Sequence, residues 1–327
     1  MSVSENLPPV ARPNESGRKE RLADTPELYL PLDDPRYQTA WEGVAPIACN
    51  LVLEGGSMRA LFSAGVLDLL MDEGILPQTV IGVSAGALSG CNYVAGMRGR
   101  TCFLNMKYCN NWHFYSMRSL VLKGSTFDTD FVYRKIMYEL DPFDFDAFAR
   151  SPLRLISVVT DLATGQPFYY QHRDLRCDID YLRASASLPL IARIVNIAGK
   201  QYLDGGLSDP IPIRYSQGLG AMKHIVILTR DAGFIKKPNL LIRLATFAFK
   251  KYPEFCDSLK NRHVNYNRIY GEIVREHEAG EIYVLRPQKP VPFDSVTRDP
   301  RKLYELYLEG YEEARRNLPT IREYLAR

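Results

Sequence analysis

The sequence predicts an α/β fold: a three-layer α/β/α domain around a mainly parallel central sheet. Three observations carry that prediction. Short apolar runs of strand length alternate with apolar-rich segments of helical length through most of the chain. The first run passes through a glycine-containing turn into a helix, and the second passes through a serine turn into another helix. That order, repeated, is how parallel strands covered by helices are built.

The elements follow in chain order. Residues 1–45 lack periodicity and read as a mobile N-terminal arm that becomes ordered near Trp41. A single folded domain over 46–327 follows. Ile47 to Leu53 is the first strand, Glu54 to Ala60 a turn, and Leu61 to Glu73 a helix stopped at Gly74. Thr79 to Val83 is the second strand, and a small-residue helix runs from Ala85 to about Gly96. Residues 98–150 break the rhythm with aromatics and Asn, and read as an insertion or cap containing one helical piece at Phe131 to Leu140. Strands resume at Leu153 to Thr160 and Gln166 to Gln171, joined by a hairpin at Ala163, Thr164 and Gly165. A helix at Ile179 to Ser187 precedes short strands at Ile194 to Ile197 and Gln201 to Leu203, then the turn Asp204, Gly205, Gly206. His224 to Thr229 is a further strand. Residues 230–327 are largely helical, with helices at Leu240 to Lys251, Asp257 to Glu276 and from Arg301 onward, and a strand at Glu281 to Leu285.

Composition bounds the function. Among 327 residues, 41 basic and 38 acidic side chains leave a net charge of +3, too little for a nucleic-acid partner. The six cysteines form no CxxC pair, which suits free thiols and a cytoplasmic setting. No His/Cys/Asp cluster has ligand spacing, so no metal and no cofactor is expected. No apolar run is long enough to span a bilayer.

Gly82, Val83, Ser84, Ala85 and Gly86 form GxSxG at a strand-to-helix turn. Such a turn exposes the serine on a strained backbone, and small neighbours leave room around it. The helix N-terminus beneath favours developing negative charge. A serine nucleophile needs a base, yet His113, His172, His224, His263 and His277 all lie outside Gly-rich turns and read as surface or satisfied interior residues. Ser84 also comes too early for an α/β-hydrolase. Asp204 is the best carboxylate for the task, since Gly205 and Gly206 let its backbone turn tightly toward another loop; read alone, Asp-Gly is an ordinary hairpin turn. Gly55, Gly56, Ser57, Met58 and Arg59 leave the first strand and open a helix, offering successive N–H groups to an oxyanion.

These three motifs, in this order, resemble the patatin-like phospholipase family, its bacterial branch above all. Ala186, Ser187, Leu188 and Pro189 match the family's Ala-Ser-x-x-Pro stretch, and the resemblance spans roughly Ile47 to Ile213. It implies a Ser–Asp dyad: Asp204 accepts the Ser84 proton, Ser84 attacks an acyl ester, and the loop at Gly55 to Ser57 holds the oxyanion. The substrate implied is a phospholipid or another acyl ester. Two positions depart from the pattern: Ser57 replaces a third glycine and Ala60 a closing one. If position 57 needs a positive φ, its side chain costs about 1 kcal/mol or more.

Phe103, Trp112, Phe114, Tyr115 and Phe127 of the insertion are equally readable as an acyl-pocket lining and as packing. The segment Phe234 to Phe255 mixes Lys236, Lys237, Arg243, Lys250 and Lys251 with Leu240, Leu241, Leu244 and Phe247. The pattern favours a core helix with lysines at its ends over a transient contact with an anionic membrane. Three functions stay open: a phospholipase or lysophospholipase, a broad esterase or thioesterase on soluble acyl groups, and a weakly active lipid-binding protein. Oligomeric state is not readable.

Overall fold

The computed structural model describes residues 41, 43–239 and 241–327. Most of the expected N-terminal arm lies outside the described residues. Trp41 is within them, and its indole N–H donates to the Val94 carbonyl at 3.0 Å.

Strand β1 (Ile47–Leu53) leads through a 3-10 turn (Ser57–Arg59) to α1 (Ala60–Asp72); β2 (Pro77–Val83) leads through Ser84 to α2 (Ala85–Val94). The predicted insertion holds α3 (Arg100–Tyr108), α4 (Met117–Lys123), a π-helical segment (Phe131–Leu140) and α5 (Phe145–Arg150). Then come β3 (Arg154–Asp161), β4 (Pro167–Gln171), α6 (Leu175–Ser185), β5 (Val195–Ile197) and β6 (Lys200–Asp204). The chain closes with α7 (Ile213–Gly218), β7 (Lys223–Ile227), α8 (Leu241–Ala248), α9 (Pro253–Glu278), β8 (Tyr283–Leu285) and α10 (Pro300–Ala326).

The sheet order is β5-β6-β3-β2-β1-β7-β8, with β4 also on β3. Strands β3, β2, β1, β7 and β8 are parallel, whereas β4 and β6 run antiparallel to β3. Alternation along the parallel strands explains the three layers. Leu51 and Leu53 join Phe62, Leu69 and Leu70 of α1 and Leu303 and Leu306 of α10 in one core. Val52 between them faces the other way, joining Ile269 and Ile273 of α9 in a second core. A strand apolar on both faces needs helices on both.

Strand β3 organises the site. Val159 and Thr160 pair with β4 and also with β6, so those two strands lie on opposite edges. Residues 156–158 pair with β4 and β2, which puts β2 opposite β4 as well. Hence β2 and β6 meet end to end along one edge of β3. Val83, the residue before Ser84, sits beside Val158, and Asp204 sits beside Val159.

One expectation is corrected. Helix α8 is no core helix: Ala245 is buried, but Leu241, Leu244 and Phe247 are 60%, 55% and 73% exposed. Positions three apart share a face, and this apolar face is turned outward because the neighbouring Ile242, Ala245 and Phe249 already fill the small core over Leu203 and Leu207. The insertion is also richer in helix than the single piece expected. Its rings pack mainly on one another and on the first core, as in Phe114–Phe127 at 5.8 Å and Tyr115–Phe127 at 5.1 Å.

Candidate active site

Ser84 stands between β2 and α2 with φ +56° and ψ −127°, a conformation that side chains rarely adopt. Surroundings enforce it. A Cβ on Gly86 would fall 2.7 Å from the Leu53 carbonyl oxygen, and one on Gly82 would strike the backbone of Ala87, so small residues are obligatory on both sides. The Ser84 N–H donates to Ser185 Oγ at 2.9 Å, tying the turn to the end of α6. The side chain is thereby presented at the N-terminus of α2.

Asp204 ends β6 and is 1% exposed. Its N–H donates to the Ser187 carbonyl at 2.8 Å, its carbonyl accepts from Thr160 Oγ1 at 2.8 Å, and its Oδ1 accepts the Gly206 N–H at 2.8 Å. The turn depends on Gly205, whose Cβ would overlap the Val158 carbonyl oxygen. Oδ2 is buried and makes no well-formed hydrogen bond among the described residues, yet the Ser84 hydroxyl is near enough to favour the charged carboxylate. Burial outweighs that help and pushes the Asp204 pKa up to about 6, against the further pull of the Gly206 N–H, Arg262 and Lys236.

The loop after β1 abuts the serine. A Cβ on Gly55 would lie 2.9 Å from Ser84 Cβ, so only glycine allows this approach. Ser57 has φ +52°, the left-handed conformation in which its side chain is strained. Ala60, the other departure, has an ordinary helical φ of −64° and costs nothing there. The Met58 N–H is committed to the Ser295 carbonyl at 3.0 Å, and the Arg59 N–H to the Gly56 carbonyl at 3.1 Å. Both are therefore removed from the donors the sequence offered. The amides of Gly56 and Ser57 have no main-chain partner among the described residues, and remain as candidates to receive an anion.

Several residues at the site carry no motif. Ser185 holds the Ser84 amide. Glu54 is buried, accepting from the Thr229 N–H at 2.6 Å and the Tyr266 hydroxyl at 2.7 Å, so it clamps β1, β7 and α9 together. Arg262 Nε donates to the Gly206 carbonyl at 2.9 Å, buttressing the aspartate turn from α9. Only Glu54, next to Gly55, had a signal in its position. The histidines lie elsewhere. His172 joins Ser157 at 2.8 Å and Asp178 at 2.9 Å, a Ser-His-Asp chain by geometry. Ser157 is wholly enclosed, however, and the chain acts as a clasp between β3, β4 and α6.

The chain is 27% identical over 251 residues to the uncharacterized protein YjjU of Escherichia coli, covering 75% of this chain and 70% of that one. It is 27% identical over 200 residues to the lysophospholipase nte1 of Aspergillus terreus; the match covers 57% of this chain but 12% of that protein. Among solved structures, VipD from Legionella pneumophila aligns with a TM-score of 0.43 and 11% identity, over 85% of this chain and 68% of that one. Residues 252–326 match a domain of unknown function, DUF6363. Residues 51–216, half of the chain and the part that contains all three loops, match the patatin-like phospholipase profile, and the chain belongs to the patatin-like phospholipase family.

Proposed function

We propose that this protein is a lipid acyl hydrolase of the phospholipase A or lysophospholipase type, working through a Ser84–Asp204 dyad. Asp204 takes the proton of the Ser84 hydroxyl as Oγ attacks the ester carbonyl. The amides of Gly56 and Ser57 receive the oxyanion of the tetrahedral intermediate. Asp204 returns the proton to the departing alcohol oxygen, leaving an acyl-serine, and then serves as base for the water that releases the fatty acid. The observation that carries this reading is the register on β3, where Val83 and Asp204 flank adjacent residues, Val158 and Val159. Asp204 Oδ2 supports it further, being a buried acceptor for which no other hydrogen bond is found among the described residues.

The experiment is fluorophosphonate labelling together with lipid-product analysis of the wild type, Ser84→Ala and Asp204→Asn. Labelling should vanish in Ser84→Ala, and Asp204→Asn should lose about 10²–10⁴-fold in rate. Full activity in either variant would sink the dyad. Preference for short soluble esters over micellar phospholipid would favour the esterase reading, and absence of labelling in the wild type the lipid-binding one.

The protein meets its substrate from the water side, in the cytoplasm and peripherally at the membrane. The outward face of α8, with Leu241, Leu244 and Phe247 beside Arg243 and near Lys250 and Lys251, suits the surface of an anionic bilayer. No helix among the described residues is long and apolar enough to cross one. The six cysteines are unpaired, as in a reducing compartment.

A further inference from the structure

Parallel strands covered by helices are apolar on both faces. On the face toward α9 that rule holds for Val52, Ile81, Ile156 and Val226. Two residues nearer the strand starts it is broken. Asn50 pairs with His224 of β7 and with Thr79 of β2, and Thr79 pairs with Arg154 of β3, so four polar side chains stand in one row across four strands. Asn50 and Thr79 are only 3% and 4% exposed. Burying such groups is costly unless their hydrogen bonds are made.

The protein makes part of them. Asn50 Nδ2 donates to the Ser216 carbonyl at 3.0 Å and to Ser216 Oγ at 3.1 Å, and Ser216 Oγ in turn bonds His224 Nδ1 at 2.8 Å. A carbonyl can only accept, so the amide is fixed with Nδ2 toward α7 and Oδ1 turned away from it. Among the described residues nothing donates to that Oδ1, Thr79 Oγ1 has no partner, and no carboxylate pairs with Arg154.

These unspent groups line one cavity of about 270 Å³, walled by Tyr215 of α7, by Ile156 and by Met222, with no Asp or Glu in its lining. Tyr215 is a fixed wall, stacked on Tyr169 at 3.7 Å. At about 30 Å³ per water in the liquid, the cavity takes on the order of ten non-hydrogen atoms, far fewer than a diacyl lipid has. It also lies away from the serine, since Thr79 precedes Ser84 by five residues, roughly 16 Å along β2.

We propose that this cavity binds a small carboxylate that carries a hydrogen-bond donor, a hydroxyl or an ammonium, at its far end. Arg154 takes the carboxylate, and the Thr79 hydroxyl donates to the same group. Asn50 Oδ1 accepts from the donor, and the carbon body lies against Tyr215 and Ile156. With neighbouring strands about 4.8 Å apart, β1 and β3 are separated by roughly 10 Å, a span that the two ends of such a ligand can bridge. The site needs no chemistry from Ser84 or Asp204.

The test is calorimetric titration of the full-length protein with 6-hydroxyhexanoate, 6-aminohexanoate, hexanoate, adipate, 1,6-hexanediol and inorganic phosphate. At least one of the first two should bind, and their order tells a hydroxyl from an ammonium. Hexanoate and adipate, lacking the donor, should bind about threefold or more weakly, and the diol, lacking the carboxylate, not at all. Arg154→Gln should weaken the best ligand about tenfold or more, Arg154→Lys should recover part of the loss, and Thr79→Val should cost about threefold or more. Arg154 is exposed and valine suits a strand, so neither Arg154→Gln nor Thr79→Val should lower the melting temperature without ligand. The proposal fails if neither of the first two binds, or if hexanoate or adipate equals the better of them. It fails equally if phosphate binds more tightly than any carboxylate, or if both replacements leave the affinity unchanged, which would put the ligand elsewhere. Ser84→Ala should bind as the native protein does, so the outcome stands apart from the fate of the dyad.

Discussion

As the proposed base, Asp204 combines two requirements that oppose each other. In that role it must be shielded, so that its charge acts on Ser84 and not on water, and shielding raises its pKa to about 6. The base form is then reached only above that pH, and kcat/KM on a neutral soluble ester is expected to climb through pH about 6; a profile flat from pH 5 to 8 would refute the assignment. Stability should move the other way. A carboxyl whose pKa is higher folded than unfolded stabilises the fold while protonated. That contribution is complete below about 3.8 and lost as pH rises through about 6. A two-unit shift corresponds to on the order of 3 kcal/mol, and Asp68, likewise raised to about 6 by burial, behaves in the same sense. Asp204→Asn should therefore melt at a higher temperature than the wild type at pH 8, while being inactive. Ser57 adds a second local cost. At φ +52° its side chain is strained by about 1–2 kcal/mol, partly offset by the freedom a glycine would gain in the unfolded chain. Ser57→Gly is expected to stabilise by up to about 1 kcal/mol in urea unfolding, and a loss of stability would show that the serine has a role of its own.

Helix α10 is bound to the hydrolase core by backbone contact. A Cβ on Gly65 of α1 would overlap the Tyr307 carbonyl oxygen, and one on Gly310 of α10 would overlap the Phe62 carbonyl oxygen. Two hydrogen bonds flank this crossing, Tyr307 to Asp68 at 2.8 Å and Tyr311 to Asp72 at 2.9 Å. Neither helix can retreat without opening the first core, so Gly65→Ala should cost about 3 kcal/mol or more, read from the urea midpoint, whereas Gly218→Ala, facing open space, should cost far less. Similar costs for both would mean that the helices are free to shift. The element that sequence patterning misjudged is α8. Its Leu241, Leu244 and Phe247 carry a normal core spacing, and periodicity reports only that a face is apolar, never what covers it. The helices of the insertion went unread for a related reason: α4 and α5 are too short, at seven and six residues, to show a 3.6-residue stripe, and in α3 Phe103 and Tyr108 lie among polar neighbours.

At the scale of the whole molecule, the α8 face belongs to the C-terminal third, beyond the serine and aspartate loops. Replacing Leu244 and Phe247 together by Ser should reduce sedimentation with phosphatidylglycerol vesicles about tenfold or more, given about 1.5–3 kcal/mol for each buried side chain. Added salt should weaken binding of the native protein, since the flanking lysines and arginines act over a screening length of about 8–10 Å. Unchanged sedimentation would exclude α8 as the contact. What the sequence determined by itself was local: the strand-turn-helix order, the glycines that a tight turn or close approach demands, and the candidate Ser84 and Asp204, each declared by its immediate neighbours. Tertiary structure decided what depends on distance through space. The shared edge of β3 unites the serine and aspartate loops, the Ser295 carbonyl withdraws the Met58 amide, and the Arg262 guanidinium reaches the Gly206 carbonyl only when α9 packs against the aspartate turn. Charges far apart in the chain leave no pattern along it, because the energy that couples them depends on separation in space and on the exclusion of water, and both are set by packing.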